Sequence, residues 1–286
     1  MNSERLLQRA EAFNYLFDAV VVTDTQGTIV DWNKGSETLY GYREDEVMGQ
    51  KVSILHVPED IDHITRDVLA AVAETGKWTG EVRMRHKDGS TGWIESMCIP
   101  ILDDAGEMIG ALGINRDITA RIQETERLRH LAQYDYLTQI PNRYLLLDRI
   151  THLIDQYDRN QSAFTLLYFD LDSFKQINDS YGHSIGDKIL KEAADRMLAC
   201  IRKSDMVARI GGDEFVVLLE NTFKKSDISQ VINNLSATLH ENIVIDQIVL
   251  NIRCSIGSAT FPMNGKNSDE LLSHADFKMY QDKESR

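Results

Sequence analysis

The chain has 286 residues, enough for about two domains, and its 42% hydrophobic and 27% charged content is that of ordinary soluble folds. A formal net charge of -14 argues against non-specific binding to nucleic acid or acidic membranes, so an anionic substrate needs a metal ion or locally placed Lys and Arg. Cys98, Cys200 and Cys254 are isolated and odd in number, which suggests neither a zinc site nor a disulfide framework and fits a reducing cytoplasm.

Residues 3 to 17 carry Leu6, Leu7, Ala10, Phe13 and Leu16 or Phe17 at helical spacing, a polar amphipathic start without a signal-peptide core. No apolar run approaches the ~18 residues of a membrane span. Ala19 to Asp24 and Thr28 to Trp32 read as a hairpin around Thr25-Gln26-Gly27. Short helices are expected over 34 to 75, broken at Gly41, Gly49 and Pro58, the last with an apolar face of Ile61, Ile64, Val68, Leu69 and Val72. Strands near 79–86, 91–100 and 108–116 follow, joined by turns at Lys87-Asp88-Gly89-Ser90 and Asp103-Asp104-Ala105-Gly106. Two strands, short helices and three strands predict a five-stranded antiparallel sheet with helices on one face, an α+β layer.

Val30-Asp31-Trp32-Asn33, Leu39-Tyr40-Gly41-Tyr42, Glu46-Val47-Met48-Gly49, His86-Lys87-Asp88-Gly89 and Gly113 to Thr119 resemble a PAS domain over most of residues 10 to 119. The resemblance implies a sensory module, of a class in which some members hold haem, flavin or a metabolite and many hold nothing. An axial haem ligand would be a His such as His56 or His63, both of which read here as surface or helix-capping residues. The Asn-Cys-Arg signature of flavin-adduct members is absent, and Cys98 sits in a late strand. Trp32 and Trp93 line a pocket or, as strand aromatics usually do, the core.

Asp117 to Gln133 lacks Gly and Pro, intersperses its charges and is dense in helix formers, with Asp117 or Thr119 as cap. Ile118, Ile122 and Thr125 form one weak seam, and Leu128, Leu131 and Ala132 another. The segment reads as a signalling helix between domains assigned to 1–117 and 135–286, with the linker at 118–134. A plain surface helix is the alternative.

In the second half, Asp135 to Arg143 opens a helix running to about Asp158. Phe164 to Phe169 is an apolar run of buried-strand length ending at Asp170-Leu171-Asp172, where α/β-type sites put metal ligands. A long helix is expected at 187–202, with Ile189, Leu190, Ala193, Ala194, Met197 and Leu198 inward. Met206 to Leu219 reads as a hairpin with a four-residue tip, Gly211-Gly212-Asp213-Glu214, whose adjacent carboxylates call for something positive nearby. A solvated acidic turn is the other reading. A helix at 225–241, strands at 243–249 and 251–261 and a helix at 267–283 complete a βααββαβ pattern.

Gly211-Gly212-Asp213-Glu214-Phe215, Asp170 to Asp179, Gly182 to Asp187, Asp135-Tyr136-Leu137-Thr138 with Pro141-Asn142-Arg143, Ser255-Ile256-Gly257 and Ala275-Asp276 with Met279-Tyr280 together resemble the GGDEF domain of diguanylate cyclases, over about 135 to 284. The resemblance implies a palm-like α/β sheet domain similar to nucleotidyl cyclases, working as a homodimer in which each copy holds one GTP. The expected products are cyclic di-GMP and two pyrophosphates. By family match Asp170, the Leu171 carbonyl and Asp213 or Glu214 ligate Mg²⁺ (or Mn²⁺). Asp213 is the first candidate for metal contact and proton acceptor, followed by Glu214, and Lys175 supplies positive charge to the phosphates. Gly211 and Gly212 leave room for the triphosphate, Lys283 contacts it, Phe174 floors the pocket, and Asn178 and Asp187 read guanine. Asn178-Asp179 as a helix end and Asp187 as an N-cap are the plainer readings, and His183 reads as structural.

Arg202 and Asp205 match the family's RxxD product-inhibition site, against a plainer reading as a helix-terminal Arg and a turn Asp. Gln139 replaces the family's usual Gly, and Lys283-Glu284-Ser285-Arg286 departs from Lys-x-x-Gly-Arg-Asn, as in a chain shortened there, with Arg286 one position off. The expectation is a cytoplasmic, PAS-regulated cyclase that binds neither nucleic acid nor membrane. The alternatives are an idle GGDEF domain sensing GTP or cyclic di-GMP, and a dimerising scaffold.

Overall fold

A computed structural model describes residues 8, 11–245 and 247–285. The amphipathic helix expected over 3–17 falls mostly outside them, as does Arg286; residues 11–14 are helical. The chain divides into two compact units, Met1–Arg127 and Leu128–Arg286.

In the first unit, β1 (Ala19–Asp24) and β2 (Ile29–Trp32) pair antiparallel. Their turn is set by Asp24, whose Oδ1 accepts from the Gln26 and Thr28 N–H groups at 2.8 Å each. Asn33, fully buried, then caps α1 (Lys34–Tyr40), accepting from Ser36 N–H at 2.8 Å and Val20 N–H at 2.9 Å. α2 (Glu44–Val47), two short 3₁₀ turns and α3 (Ile61–Thr75) lead to β3 (Trp78–Arg85), β4 (Thr91–Leu102) and β5 (Met108–Asp117). The strands form one antiparallel sheet, as the element order predicts, and their spatial order is β2-β1-β5-β4-β3. Alternation sends Val21, Ile94, Val82 and Met84 to one face, where Tyr40, Val47 and Leu55 pack on them.

α4 (Thr119–Gln133) is the expected helix; Asp117 accepts from Thr119 N–H at 2.8 Å, and no residue of it is buried. α5 (Arg143–Asn160) starts later than expected because Asn142 caps it, its Oδ1 accepting from Leu145 N–H at 3.1 Å. The residues from Asp135 to Pro141 therefore form a loop.

β6 (Phe164–Leu171), α6 (Phe174–Tyr181), α7 (His183–Cys200), β7 (Met206–Gly211), β8 (Glu214–Glu220), α8 (Lys225–Leu239), β9 (Ile243–Ile245), β10 (Ile248–Leu250), β11 (Cys254–Phe261) and α9 (Ser268–Glu284) complete the second unit. Its four-stranded sheet runs β11-β6-β8-β7, all neighbours antiparallel. Both faces are covered. Leu167, Phe169, Phe215 and Val217 meet α7 and α8, whereas Leu166, Tyr168, Val216 and Leu218 meet α5 and α9. That explains why β6 is buried along nearly its whole length, with a mostly apolar sequence instead of an alternating one.

Two expectations change. Residues 243–249 are not one strand but contribute to a small hairpin of β9 and β10, separate from the main sheet. The acidic tip is a two-residue turn, Gly212-Asp213, because Gly211 and Glu214 pair across it.

Candidate functional site

Asp170, the penultimate residue of β6, lies directly opposite Glu214 on β8, and Leu171 N–H donates to the Asp213 carbonyl at 3.2 Å. Strand pairing thus brings three carboxylates to one end of the sheet. Gly212 has φ +54, and a Cβ at Gly211 or Gly212 would meet nothing within 4 Å, so the space above the turn is open.

The crowding has electrostatic consequences. Burial, and then the Asp170 charge, push the Asp213 carboxyl above its ordinary range, with Lys283 and Arg209 opposing. Glu214 is likewise raised by burial and by Asp170, Asp276 and Asp213, against a hydrogen bond from the Tyr168 phenol. The Tyr168 phenol is itself raised by burial and by the charges of Glu214 and Asp276. Lys283, in the last turn of α9, puts its Nζ 2.5 Å from Asp170 Oδ1, and that contact raises its own pKa. α9 comes this close because Gly257 of β11 has no side chain: a Cβ there would stand 1.9 Å from the Ala275 carbonyl oxygen.

The donor chemistry fits a hard divalent cation. Carboxylate oxygens and a strand-end carbonyl are the ligands such ions take, and the mutual repulsion of Asp170, Asp213 and Glu214 is what a cation relieves. Lys283 supplies a single positive charge there. Among the described residues no three His, Cys, Asp or Glu side chains already converge as a cage.

On the opposite face, buried Phe174 and half-buried Asn178 of α6 lie against Gly186 of α7. A Cβ at Gly186 would fall 1.9 Å from Asn178 Oδ1, so only glycine admits this amide. Asn178 Oδ1 is buried and has no hydrogen-bond partner, an acceptor held ready in a desolvated cleft. Asp187 is exposed in α7 next to Gly186; the helix begins at His183, so Asp187 is not its N-cap. Lys175 is exposed in the first turn of α6.

Arg202 is exposed beyond α7. Asp205 is half-buried and engaged with the backbone: its oxygens accept from Arg202 N–H and Glu220 N–H, each at 3.2 Å. That is the turn arrangement left open by the sequence.

Sequence reasoning missed Arg209, which donates to the Gly212 carbonyl, and Tyr168. Both were within reach. Arg209 lies two residues before Gly211 and answers the demand for positive charge. Tyr168 shares a strand face with Asp170.

The first unit holds a second feature, a cavity of about 230 Å³ between its sheet and α3. Ile61, Ile64, Val68 and Val72 line it, at the predicted spacing, and Trp78 does so in place of Trp32 or Trp93. Into this apolar lining come Thr23, Ser96 and Asn115, each at most 9% exposed. His56 also lines it, correcting its expected surface position. A β-bridge to Met84 draws it inward, burial pushes its pKa down, and its Nδ1 has no partner. His63 remains exposed beside Asp67 at 3.2 Å. Ligand pockets span about 300–1,000 Å³, so this cavity does not fit haem or flavin.

A family model described as diguanylate cyclase, GGDEF domain, matches residues 132–286, and one described as PAS fold matches residues 13–123. The chain is 32% identical over 267 residues to the cyclic di-GMP phosphodiesterase PdeR of Escherichia coli, covering 93% of this chain and 40% of PdeR. It is 39% identical over 166 residues to the bifunctional diguanylate cyclase/cyclic di-GMP phosphodiesterase MucR of Pseudomonas aeruginosa, covering 58% of this chain and 24% of MucR. The chain therefore spans less than half the length of either relative. Among solved structures, a form of TpbB from Pseudomonas aeruginosa comprising only the GGDEF domain superposes with a TM-score of 0.52 at 34% identity, covering 54% of this chain and 90% of that one.

Proposed function

The chain belongs to the GGDEF family and carries a PAS fold ahead of that domain, and we propose that it is a diguanylate cyclase whose PAS unit regulates it. The observation that carries this reading is the trio of Asp170, Asp213 and Glu214 at the sheet end, facing open space, with an unpartnered Asn178 acceptor in a cleft beside Phe174. In each half-reaction the 3′-oxygen of one GTP forms a bond to the α-phosphorus of the other, and the α–β bridging bond breaks to release pyrophosphate. Two such steps close the ring. Each chain offers one acidic turn and one guanine cleft, so two copies must face each other.

Asp170, the Leu171 carbonyl and Asp213 or Glu214 would hold Mg²⁺, which when bound neutralises phosphate charge and acidifies the attacking hydroxyl. Asp213 is the proposed proton acceptor: burial and the Asp170 charge raise its pKa, which makes it a better base than an ordinary carboxylate. Asn178 and Asp187 are proposed to read guanine, Phe174 to floor the base and Gly211 and Gly212 to admit the triphosphate. Lys175 and Lys283 would meet phosphate oxygens. Arg202 and Asp205 form the proposed inhibitory site for cyclic di-GMP, with Arg202 as its available anchor. The PAS cavity is proposed to take a small neutral ligand that donates to His56 Nδ1.

No helix among the described residues is long and apolar enough to cross a membrane, and a cytoplasmic location is part of the proposal. The second reading is an idle domain sensing GTP or cyclic di-GMP. It draws on PdeR, named a phosphodiesterase and similar over 93% of this chain.

Chromatography of GTP and Mg²⁺ reactions separates the two. The enzyme reading expects cyclic di-GMP from the native chain and a loss of at least about 100-fold in Asp213→Ala. Nucleotide binding without product supports the sensor. Added cyclic di-GMP should slow the native chain and not Arg202→Ala.

A further inference from the structure

Three consecutive residues of β11 tie the site end of the sheet together, each by a different device. β11 is an edge strand, so the backbone groups that point away from β6 have no strand to pair with. Ile256 N–H is one of these, and Asp282 Oδ2 on α9 accepts it at 3.1 Å. Gly257 is the notch that admits α9: a Cβ there would stand 1.9 Å from the Ala275 carbonyl oxygen and 2.2 Å from the Met279 nitrogen. Ser255, fully buried, donates from Oγ to Asp172 Oδ1 at 2.7 Å, and Asp172 N–H donates to the Arg253 carbonyl at 2.9 Å.

Asp282 is out of place by helix rules. It is half-buried in the last turn of α9, and the C-terminal end of a helix carries partial negative charge and favours cations. A carboxylate there is disfavoured unless it makes a bond of its own, and the strand-edge N–H of Ile256 supplies one. Its neighbour Lys283 follows the rule. The Lys283 Nζ lies 2.5 Å from Asp170 Oδ1, and that bond, followed by the charges of Asp170, Asp172 and Asp213, keeps the ammonium protonated.

The geometry points to Asp282 as a positioning residue for Lys283. Its clamp on Ile256 N–H holds the last turn of α9 against β11, and the next residue then delivers its ammonium to the end of β6, beside the acidic turn. Without the clamp, the helix is held at Gly257 by Ala275 and Met279, more than a turn earlier, and its last turn frays. The functional part of this inference rests on the reading of Lys283 as a phosphate contact; the clamp itself does not. Charge and position make opposite predictions for the loss of Asp282. By charge alone, removing a carboxylate near an anionic ligand tightens binding. Loss of the clamp weakens it.

Calorimetric titration of the full chain with α,β-methylene GTP and Mg²⁺ reads that difference, and reads it alike for a cyclase and an idle domain, because the analogue cannot release pyrophosphate. Lys283→Ala should weaken binding about 10-fold and Asp282→Ala about 5-fold. Asp282→Asn keeps an oxygen that accepts the N–H and should bind at least as tightly as the native chain. Asp282→Ala combined with Lys283→Ala should bind no more weakly than Lys283→Ala alone, since the clamp acts through that lysine. Amide hydrogen exchange at Ile256 should rise at least about threefold in Asp282→Ala and stay near native in Asp282→Asn. Unchanged or tighter binding in Asp282→Ala would overturn the positioning role, as would additive losses in the double variant or an Asp282→Asn chain as weak as Asp282→Ala. If Lys283→Ala binds as the native chain does, the phosphate role of Lys283 falls instead, and exchange at Ile256 alone decides the clamp.

Discussion

The two units solve the same packing problem in opposite ways. The PAS sheet buries one face and leaves part of the other to solvent, with Met97, Leu102 and Ile109 exposed, and its interior keeps a cavity of about 230 Å³. The GGDEF sheet is packed on both faces, and its open space lies outside, beyond the strand ends. Both leave polar atoms without partners, His56 Nδ1 in one and Asn178 Oδ1 in the other. The difference teaches where each unit is built to yield. A sheet with a half-filled core can change shape around a small ligand, whereas a sheet clamped on both sides holds reacting groups still.

Tryptophan provides a way to test that contrast. The chain has 3 tryptophans, Trp32, Trp78 and Trp93, and all lie in the first unit, so their fluorescence reports PAS unfolding alone. The largest expected effect is in the second unit. Gly186→Ala places a methyl group 1.9 Å from Asn178 Oδ1 and must expel the amide. KM for GTP should rise about 10–100-fold, with about 1–3 kcal/mol lost from that unit and the tryptophan transition unmoved. Unchanged KM would remove Asn178 from guanine recognition.

Next comes a matched pair. Ala193→Val adds bulk to a fully buried site on α7 and should destabilise the second unit by about 1–3 kcal/mol, read by far-UV circular dichroism. Ser96→Val fills cavity space with apolar surface and should stabilise the PAS unit by about 1 kcal/mol, read by fluorescence. If both variants shift stability in the same direction, the contrast between the cores fails.

The smallest effect is a pH slope. Burial holds the folded His56 pKa below its ordinary value, so the unfolded chain binds the proton more readily. The stabilisation is therefore complete above the unfolded value of about 6.5 and is lost as pH falls from there towards the folded pKa, by at most about 1.4 kcal/mol per pH unit. Fluorescence-monitored urea titrations should show this slope in the native chain and lose it in His56→Phe. A slope that survives the substitution assigns it to another group.

Legibility in the sequence followed the same division. The succession of strands and helices, the one-sided PAS layer and the doubly covered β6 came from periodicity, because alternation and continuous apolar runs are local records of burial. The acidic cluster came from motif order. The two-residue turn was not legible, since pairing of Gly211 with Glu214 depends on a register shift between Arg209 and Gly211. His56 was misread because its neighbours His56-Val57-Pro58-Glu59-Asp60 are polar, while the contact that buries it comes from Met84, 28 positions later. Arg209 was overlooked because its partner Asp135 is 74 residues away.

The central claim is that two copies of this chain join their acidic turns to make one product. The most direct measurement is the initial rate of cyclic di-GMP formation per chain, followed across protein concentrations spanning the dimerisation range, at saturating GTP and Mg²⁺. The account predicts a rate per chain that climbs with concentration, then saturates, and that Asp213→Ala abolishes. Absence of cyclic di-GMP at every concentration, or a rate per chain independent of concentration in a protein shown to be monomeric, would contradict it.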